Sequence, residues 1–253
     1  MTKVITFWSA NGGVGKSTMA ANTALNTALK NPAKRVLLMD FNLFNPDLVY
    51  HLGVDAEKIE MPLEMFAIKK ITHDSVSSHL LRPTKATNLW FLPGLKDLNN
   101  FEKLKIYDFD MIIEHIKASN KYDYVFIDTS CALNVDATFS AINKCDLLCV
   151  VGEPTYMSVK NIRGIMDSII SKILIHDKVL YLFNKMNKDY VAKAEIDYTF
   201  GEENVLTVNY SKFFPISLND NDVFLYKNTK DSKMIKKQLD AITEFVTREV
   251  VTE

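Results

Sequence analysis

The stretch "FWSANGGVGKSTMA", residues 7–20, decides how the rest of this chain is read. It runs from apolar residues through Asn11, Gly12, Gly13, Val14 and Gly15 into Lys16, Ser17 and Thr18. Glycines placed between a strand and a helix let several backbone N–H groups turn toward one anion. The amino terminus of the helix adds the positive end of its dipole. In such a cradle Lys16 reaches the β- and γ-phosphates, Ser17 ligates Mg²⁺ and Thr18 adds a phosphate hydrogen bond. A turn that merely joined strand to helix would not need Gly-Lys-Ser-Thr in register. The expected ligands are ATP and Mg²⁺.

Outward from this loop, short apolar runs recur with helical stretches between them. Strands are expected near Val4–Ser9, Arg35–Asp40, Leu89–Leu92, Tyr124–Asp128, Leu147–Gly152, Val179–Phe183 and Val205–Val208. Several are apolar on consecutive residues, as in strands covered by helices on both faces. Helices are expected over Ser17–Lys30, Asp108–Ser119, Val159–Ile175 and Ser232–Val250. Strand and helix in alternation predict a three-layer α/β/α P-loop fold with a mostly parallel sheet of about seven strands. No Pro/Gly/Ser linker or repeat divides the chain, so residues 1–253 are expected to form a single domain closing on a C-terminal helix at about 232–250.

The bulk numbers set limits on function. The 253 residues are 47% hydrophobic and 24% charged, which supports a sizeable core without staples. Thirty basic against 31 acidic side chains leave a formal charge of -1, which argues against nucleic-acid binding over the whole surface but not in a local patch. Cys131, Cys145 and Cys149 form no Cys-x-x-Cys pair, and the last two read as reduced core residues. No charged-then-apolar leader opens the chain and no apolar run is long enough for a bilayer, so a cytoplasmic location is expected.

The loop resembles the deviant Walker A pattern K-G-G-x-G-K-[ST] of the MinD/ParA family of dimeric ATPases, and the likeness extends beyond it. "RVLLMDFNLFNPDL" (35–48) is similar to the family's second motif, a strand ending in Asp-x-Asp. "YDYVFIDTS" (122–130) resembles its Walker B strand, which assigns to Asp128 a magnesium-bound water. "LWFLPGLKDL" (89–98) and "LLCVVGEPTYMSVKNI" (147–162) resemble later landmarks, and "VLYLFNKMN" (179–187) resembles the strand whose asparagine, here Asn184, reads adenine. The resemblance implies ATP at a homodimer interface, with Asp40 also facing the metal through water.

Two positions depart from the pattern. The family's extra lysine, which reaches the partner's γ-phosphate, is replaced by Asn11, and the second aspartate, which orients the attacking water, is replaced by Asn42. Lys16, Asp40, Asn42 and Asn11 are therefore the residues on which catalysis turns. Losing one such electrostatic contributor costs about 10²–10³ in rate. Binding is expected to outlast hydrolysis, and a non-hydrolysing scaffold with ATP as a structural dimer ligand is the alternative. Asp47 and Lys34 are candidates to replace the missing groups, although Asp47 reads first as a cap after Pro46.

At the carboxyl end, Ile235, Leu239, Ile242 and Val246 form a narrow apolar stripe, which reads as core packing. Its second half carries Glu244, Glu249 and Glu253 against Arg248, which disfavours a membrane surface. Lys227, Lys230, Lys233, Lys236 and Lys237 read either as a solvated face or as a contact for an anionic partner such as DNA phosphates. A protein activator is the other partner that the resemblance implies. Relatives that handle metals or reductions would need paired interface cysteines, which this chain lacks.

Overall fold

The computed structural model describes residues 1–55, 57, 60–82, 86–174 and 178–248. Seven strands, β1 (Lys3–Trp8), β2 (Val36–Phe41), β3 (Leu89–Leu92), β4 (Tyr124–Thr129), β5 (Leu147–Gly152), β6 (Val179–Met186) and β7 (Val205–Asn209), form one sheet. Their order is β3-β2-β4-β1-β5-β6-β7 and every strand pair is parallel. This is the three-layer α/β/α arrangement expected from the alternation of strand and helix.

Consecutive strand residues feed opposite cores. In β1, Ile5 and Phe7 face one apolar layer while Val4 and Trp8 face the other, and all four are wholly buried. The first layer lies under α1 (Lys16–Lys30) and the C-terminal helix α10 (Lys230–Thr247), which pack on each other. α1 brings Ala20, Ala21, Ala24 and Ala28 to the sheet, small side chains that allow close approach. The second layer lies under α4 (Ile106–Ser119), α5 (Asp136–Lys144), α6 (Tyr156–Ile165) and α8 (Lys193–Phe200).

α10 ends at Thr247, with its apolar stripe Ile235, Leu239, Ile242 and Val246 buried as expected. The expected end of that helix at Val250, with Glu249 and Glu253, lies outside the described residues. The stretch expected as one helix from Val159 to Ile175 is helical without a gap from Tyr156 to Ile173, with a π turn over Met166–Ile170 between α6 and a last short turn, α7 (Ser171–Ile173). Ile175 itself lies outside the described residues. The shorter helices α2 (Leu48–His51), α3 (Pro62–Ala67), α5, α8 and α9 (Phe213–Asn219) are not among those expected from the sequence.

The order in which strands are added reverses about β1, with β4 and β2 on one side and β5 and β6 on the other. Ligands of open parallel sheets bind at the carboxyl ends of the strands beside such a reversal. Register fixes what collects there: Asp128 lies beside Phe7 of β1 and beside Asp40 of β2. Among the described residues no helix is long and apolar enough to cross a membrane.

Candidate functional site: a phosphate cradle joined to a base slot

The loop after β1 curls as its glycines allow. Gly13 (φ 77°) and Gly15 (φ 88°) take left-handed conformations that disfavour any side chain. Gly15 is the residue before α1, so the unpaired N–H groups of the first turn open onto the loop. A Cβ added at Gly12 would meet nothing within 4 Å, which is the open space a phosphate needs. The cavity here measures about 470 Å³ and is walled by Ser9, Gly12, Gly13, Gly15, Lys16, Ser17, Thr18, Asn42, Phe44, Asn45, Asp47, His51, Ser130, Cys131, Ala132 and Leu218.

Beneath it, Lys16 Nζ donates to Asp128 Oδ1 at 2.6 Å, and Asp128 is wholly buried. Asp128 Oδ2 has no hydrogen-bond partner. Burial pushes the Asp128 carboxyl above its usual range, and the Lys16 charge works against that shift. Asp40 is also wholly buried, with its oxygens accepting from the Asn42 amide at 3.1 Å and the Leu48 amide at 3.2 Å. Burial, then the neighbouring charges of Asp128 and Asp47, raises its carboxyl well above the ordinary value. Asp40 therefore anchors the turn into α2 from below, and neither it nor Asp128 lines the cavity wall.

Asp47 reaches that wall. It occupies the residue before α2 without capping it, and its Oδ1 is buried with no hydrogen-bond partner. Burial raises its carboxyl, with the Ser17 hydroxyl and the Lys16 charge opposing. One turn on, His51 lines the same cavity with its ring held neutral, because burial lowers its pKa from 6.5 to about 4. Lys34 does not approach the site: it precedes β2, at the opposite end of the strand from Asp40, and pairs with Asp123 at 3.2 Å. Asn11 is half-buried and stands outside the residues that line the cavity.

A second cavity of about 600 Å³ adjoins the first through Gly13, Gly15, Thr18 and Leu218. Glu153, Asn184, Lys185, Asn187, Tyr190, Tyr210, Ser211, Phe214 and Pro215 complete its wall. Its aromatic and aliphatic faces suit a flat heterocycle. The Asn184 amide is fixed by its donation to the Val14 carbonyl at 2.9 Å, and Asn184 Oδ1 is left buried without a donor. An acceptor in that position matches an exocyclic amine such as adenine's and opposes the exocyclic oxygen of guanine. The walls from Glu153, Tyr190, Tyr210 and Phe214 were not foreseen, since nothing in their local pattern separates them from ordinary loop residues.

The residues present fit Mg²⁺ bound with a phosphate ligand. Among the described residues no group of three or more His, Cys, Asp or Glu side chains forms a cage for a metal. A hard cation held by one or two carboxylates plus phosphates needs no such cage. Ser17 and Asp47, whose Oδ1 has no partner, line the cavity and are the oxygens available to it, while the partnerless Oδ2 of Asp128 lies beneath the wall and would act through water. Asp40, whose oxygens are taken by backbone amides, has less capacity left for that task. Cys145 and Cys149 are buried with their thiols pushed up by burial, Cys145 to about 12, while Cys131 is exposed in the phosphate cavity.

Comparison with known proteins places this chain in a lineage. Residues 2–179 match the family model described as "AAA domain". The septum site-determining protein MinD of Synechocystis is 25% identical over 248 residues, covering 94% of this chain and 84% of that protein. MinD of Pyrococcus horikoshii, solved as a complex with Mg-ADP, superposes with a TM-score of 0.79 at 20% identity, covering 98% of each chain. A ParA family ATPase of Chlorobium tepidum does so with a TM-score of 0.78 at 18% identity, again over 98% of each. With the model spanning most of the strands and the whole phosphate loop, the chain belongs to the AAA-domain family, in its MinD/ParA group of P-loop ATPases.

Proposed function

We propose that this protein is a single-domain, cytoplasmic nucleotide switch that binds Mg-ATP and dimerises face to face with the nucleotide at the interface. The observation that carries this reading is the continuity of the phosphate cradle with a base slot whose free acceptor, Asn184 Oδ1, suits adenine. Lys16 and the first amides of α1 would hold the terminal phosphates, and Ser17 with Asp128 would hold the metal. Mg²⁺ there would neutralise charge on the β- and γ-oxygens. Phe44, 47% exposed where it lines the phosphate cavity, offers an apolar contact for the second copy.

Hydrolysis is slow in this reading. The Asn11 amide supplies no cation for a partner's phosphate, and the Asn42 amide cannot accept a proton as a carboxylate does. The dimer's task is to position a cargo: a segregating DNA element, or a pilus or secretion machine, with a protein activator setting the timing. The exposed lysines of α10 favour DNA. Lys230, Lys233 and Lys237 are exposed at successive turns of α10, whereas Lys227 pairs with Asp222 at 2.7 Å and Lys236 donates to the Lys227 carbonyl.

The second reading, a scaffold that holds ATP without turning it over, is favoured by the same Asn11 and Asn42. Phosphate release measured with and without DNA separates the two. Turnover that rises with DNA or a protein partner supports the switch. Saturable ATP binding with no phosphate released supports the scaffold.

A further inference from the structure

Strand β6 changes register where it meets the phosphate loop. Phe183 pairs with Thr207 and Met186 with Asn209, so three steps along β6 match two along β7. The extra residue falls at Asn184–Lys185, and Lys185 has a left-handed backbone, φ 61°. That conformation is unfavourable for a lysine and persists only where its surroundings hold it. Successive residues of a regular strand point to opposite faces, and a bulge re-aims them. Here both side chains reach the same loop. Asn184 Nδ2 donates to the Val14 carbonyl at 2.9 Å, and Lys185 Nζ donates to the Gly13 carbonyl at 2.7 Å. Glu153, just beyond β5, forms an ion pair with the same ammonium.

We propose that Lys185 is a positioning residue for the phosphate loop, acting through the Gly13 carbonyl. A trans peptide turns the N–H of Val14 away from the carbonyl of Gly13, and the N–H of Gly15 away from the carbonyl of Val14. Holding these two carbonyls from the β6 side therefore turns two consecutive N–H groups to the other side of the loop, where an anion collects them. Glu153 neutralises the ammonium, so Lys185 serves the loop's geometry and is not a spare cation for phosphate. The inference rests on the nucleotide reading above and adds a residue from the base slot to the machinery that shapes the phosphate site.

Calorimetric titration of Mg-ATP and of inorganic tripolyphosphate, which has no base, tests it on Lys185→Met. Both ligands are expected to bind more weakly by the same factor, about 10–100-fold, as for one lost charged hydrogen bond. Lys185→Arg, which keeps a donor and a charge, is expected to restore most of the affinity for both. Weakening of ATP alone would make Lys185 a wall for the base, and unchanged affinity for both would leave the loop self-supporting; either result overturns the proposal while the nucleotide reading stands. Wild-type protein that binds neither ligand overturns both. Lys185→Gly, which takes the left-handed backbone without strain, carries the same comparison if Lys185→Met does not fold.

Discussion

The Lys16 ammonium lies 2.6 Å from Asp128 Oδ1, tying the phosphate loop to the end of β4 with both side chains buried. Removing one partner of such a pair leaves an uncompensated group and costs about 3–5 kcal/mol, less where the carboxyl can take up a proton. Lys16→Ala is expected to lose Mg-ATP binding and to melt lower than wild type. Adding Asp128→Asn should return much of the melting temperature without returning binding. A double variant as unstable as the single one would deny the pair its structural weight.

Gly15 and Gly12 should fail in different ways. A Cβ on Gly15 would fall 2.3 Å from Asn184 Nδ2 on a backbone with φ 88°, so Gly15→Ala is expected to lower both stability and nucleotide affinity. A Cβ on Gly12 meets no atom within 4 Å, so Gly12→Ala should leave melting unchanged while obstructing the phosphates. Equal melting temperatures for the two variants would contradict this division.

Asn11→Lys combined with Asn42→Asp is expected to raise phosphate release at least about tenfold, as for one restored electrostatic contributor. Asn42 lies beside carboxyls already raised by burial, so Asn42→Asp alone should also lower stability in the absence of ligand. Turnover left at the wild-type rate by the double change would show that these two amides are not what limits it.

His51 gives a pH signature with a defined sign. The folded ring stays neutral down to about pH 4, whereas the unfolded ring protonates near 6.5. As pH falls through that window the unfolded state gains a proton that the folded state lacks, so stability is lost, by about 3 kcal/mol at most, and the loss levels off below pH 4. The raised carboxyls of Asp40, Asp47 and Asp128 act in the opposite sense, since they take up protons in the folded state first. His51→Leu isolates the histidine. Denaturant unfolding should show this variant gaining on wild type between pH 6.5 and 4, and a constant difference would contradict the burial account.

DNA affinity, if α10 carries it, should depend on only part of the lysine cluster. Replacing Lys230, Lys233 and Lys237 with Ala is expected to reduce the slope of log affinity against log salt by about 0.9 for each phosphate that is no longer neutralised. Lys227→Ala, which breaks a pair with Asp222, should leave that slope unchanged. Equal effects would return the whole cluster to a general charge contribution.

Much of the fold was legible because several strands are apolar on consecutive residues, as doubly covered strands need. Lys16 is legible from its place in the glycine loop, and Asp128 through the resemblance of its strand to the family's Walker B motif. Their pairing needed β1 and β4 to be neighbours, which no local pattern states. The stretch between β2 and β3 was opaque, since helices as short as Leu48–His51 and Pro62–Ala67 lack a full period of apolar residues. That is why Asp47 read first as a cap and His51 passed unnoticed, although both line the phosphate cavity. Lys185 was hidden for another reason: a bulge is set by pairing with a distant strand, and Asn-Lys-Met-Asn carries no glycine to announce it.

The most direct test of the account is calorimetric titration of the purified chain with ATP in the presence of magnesium, repeated with GTP. Saturable binding of one ATP per chain, weaker for GTP and absent in Lys16→Ala, is the expected result. No heat with either nucleotide, or binding untouched by the loss of Lys16, would contradict the claim that the glycine loop and its lysine grip a nucleotide.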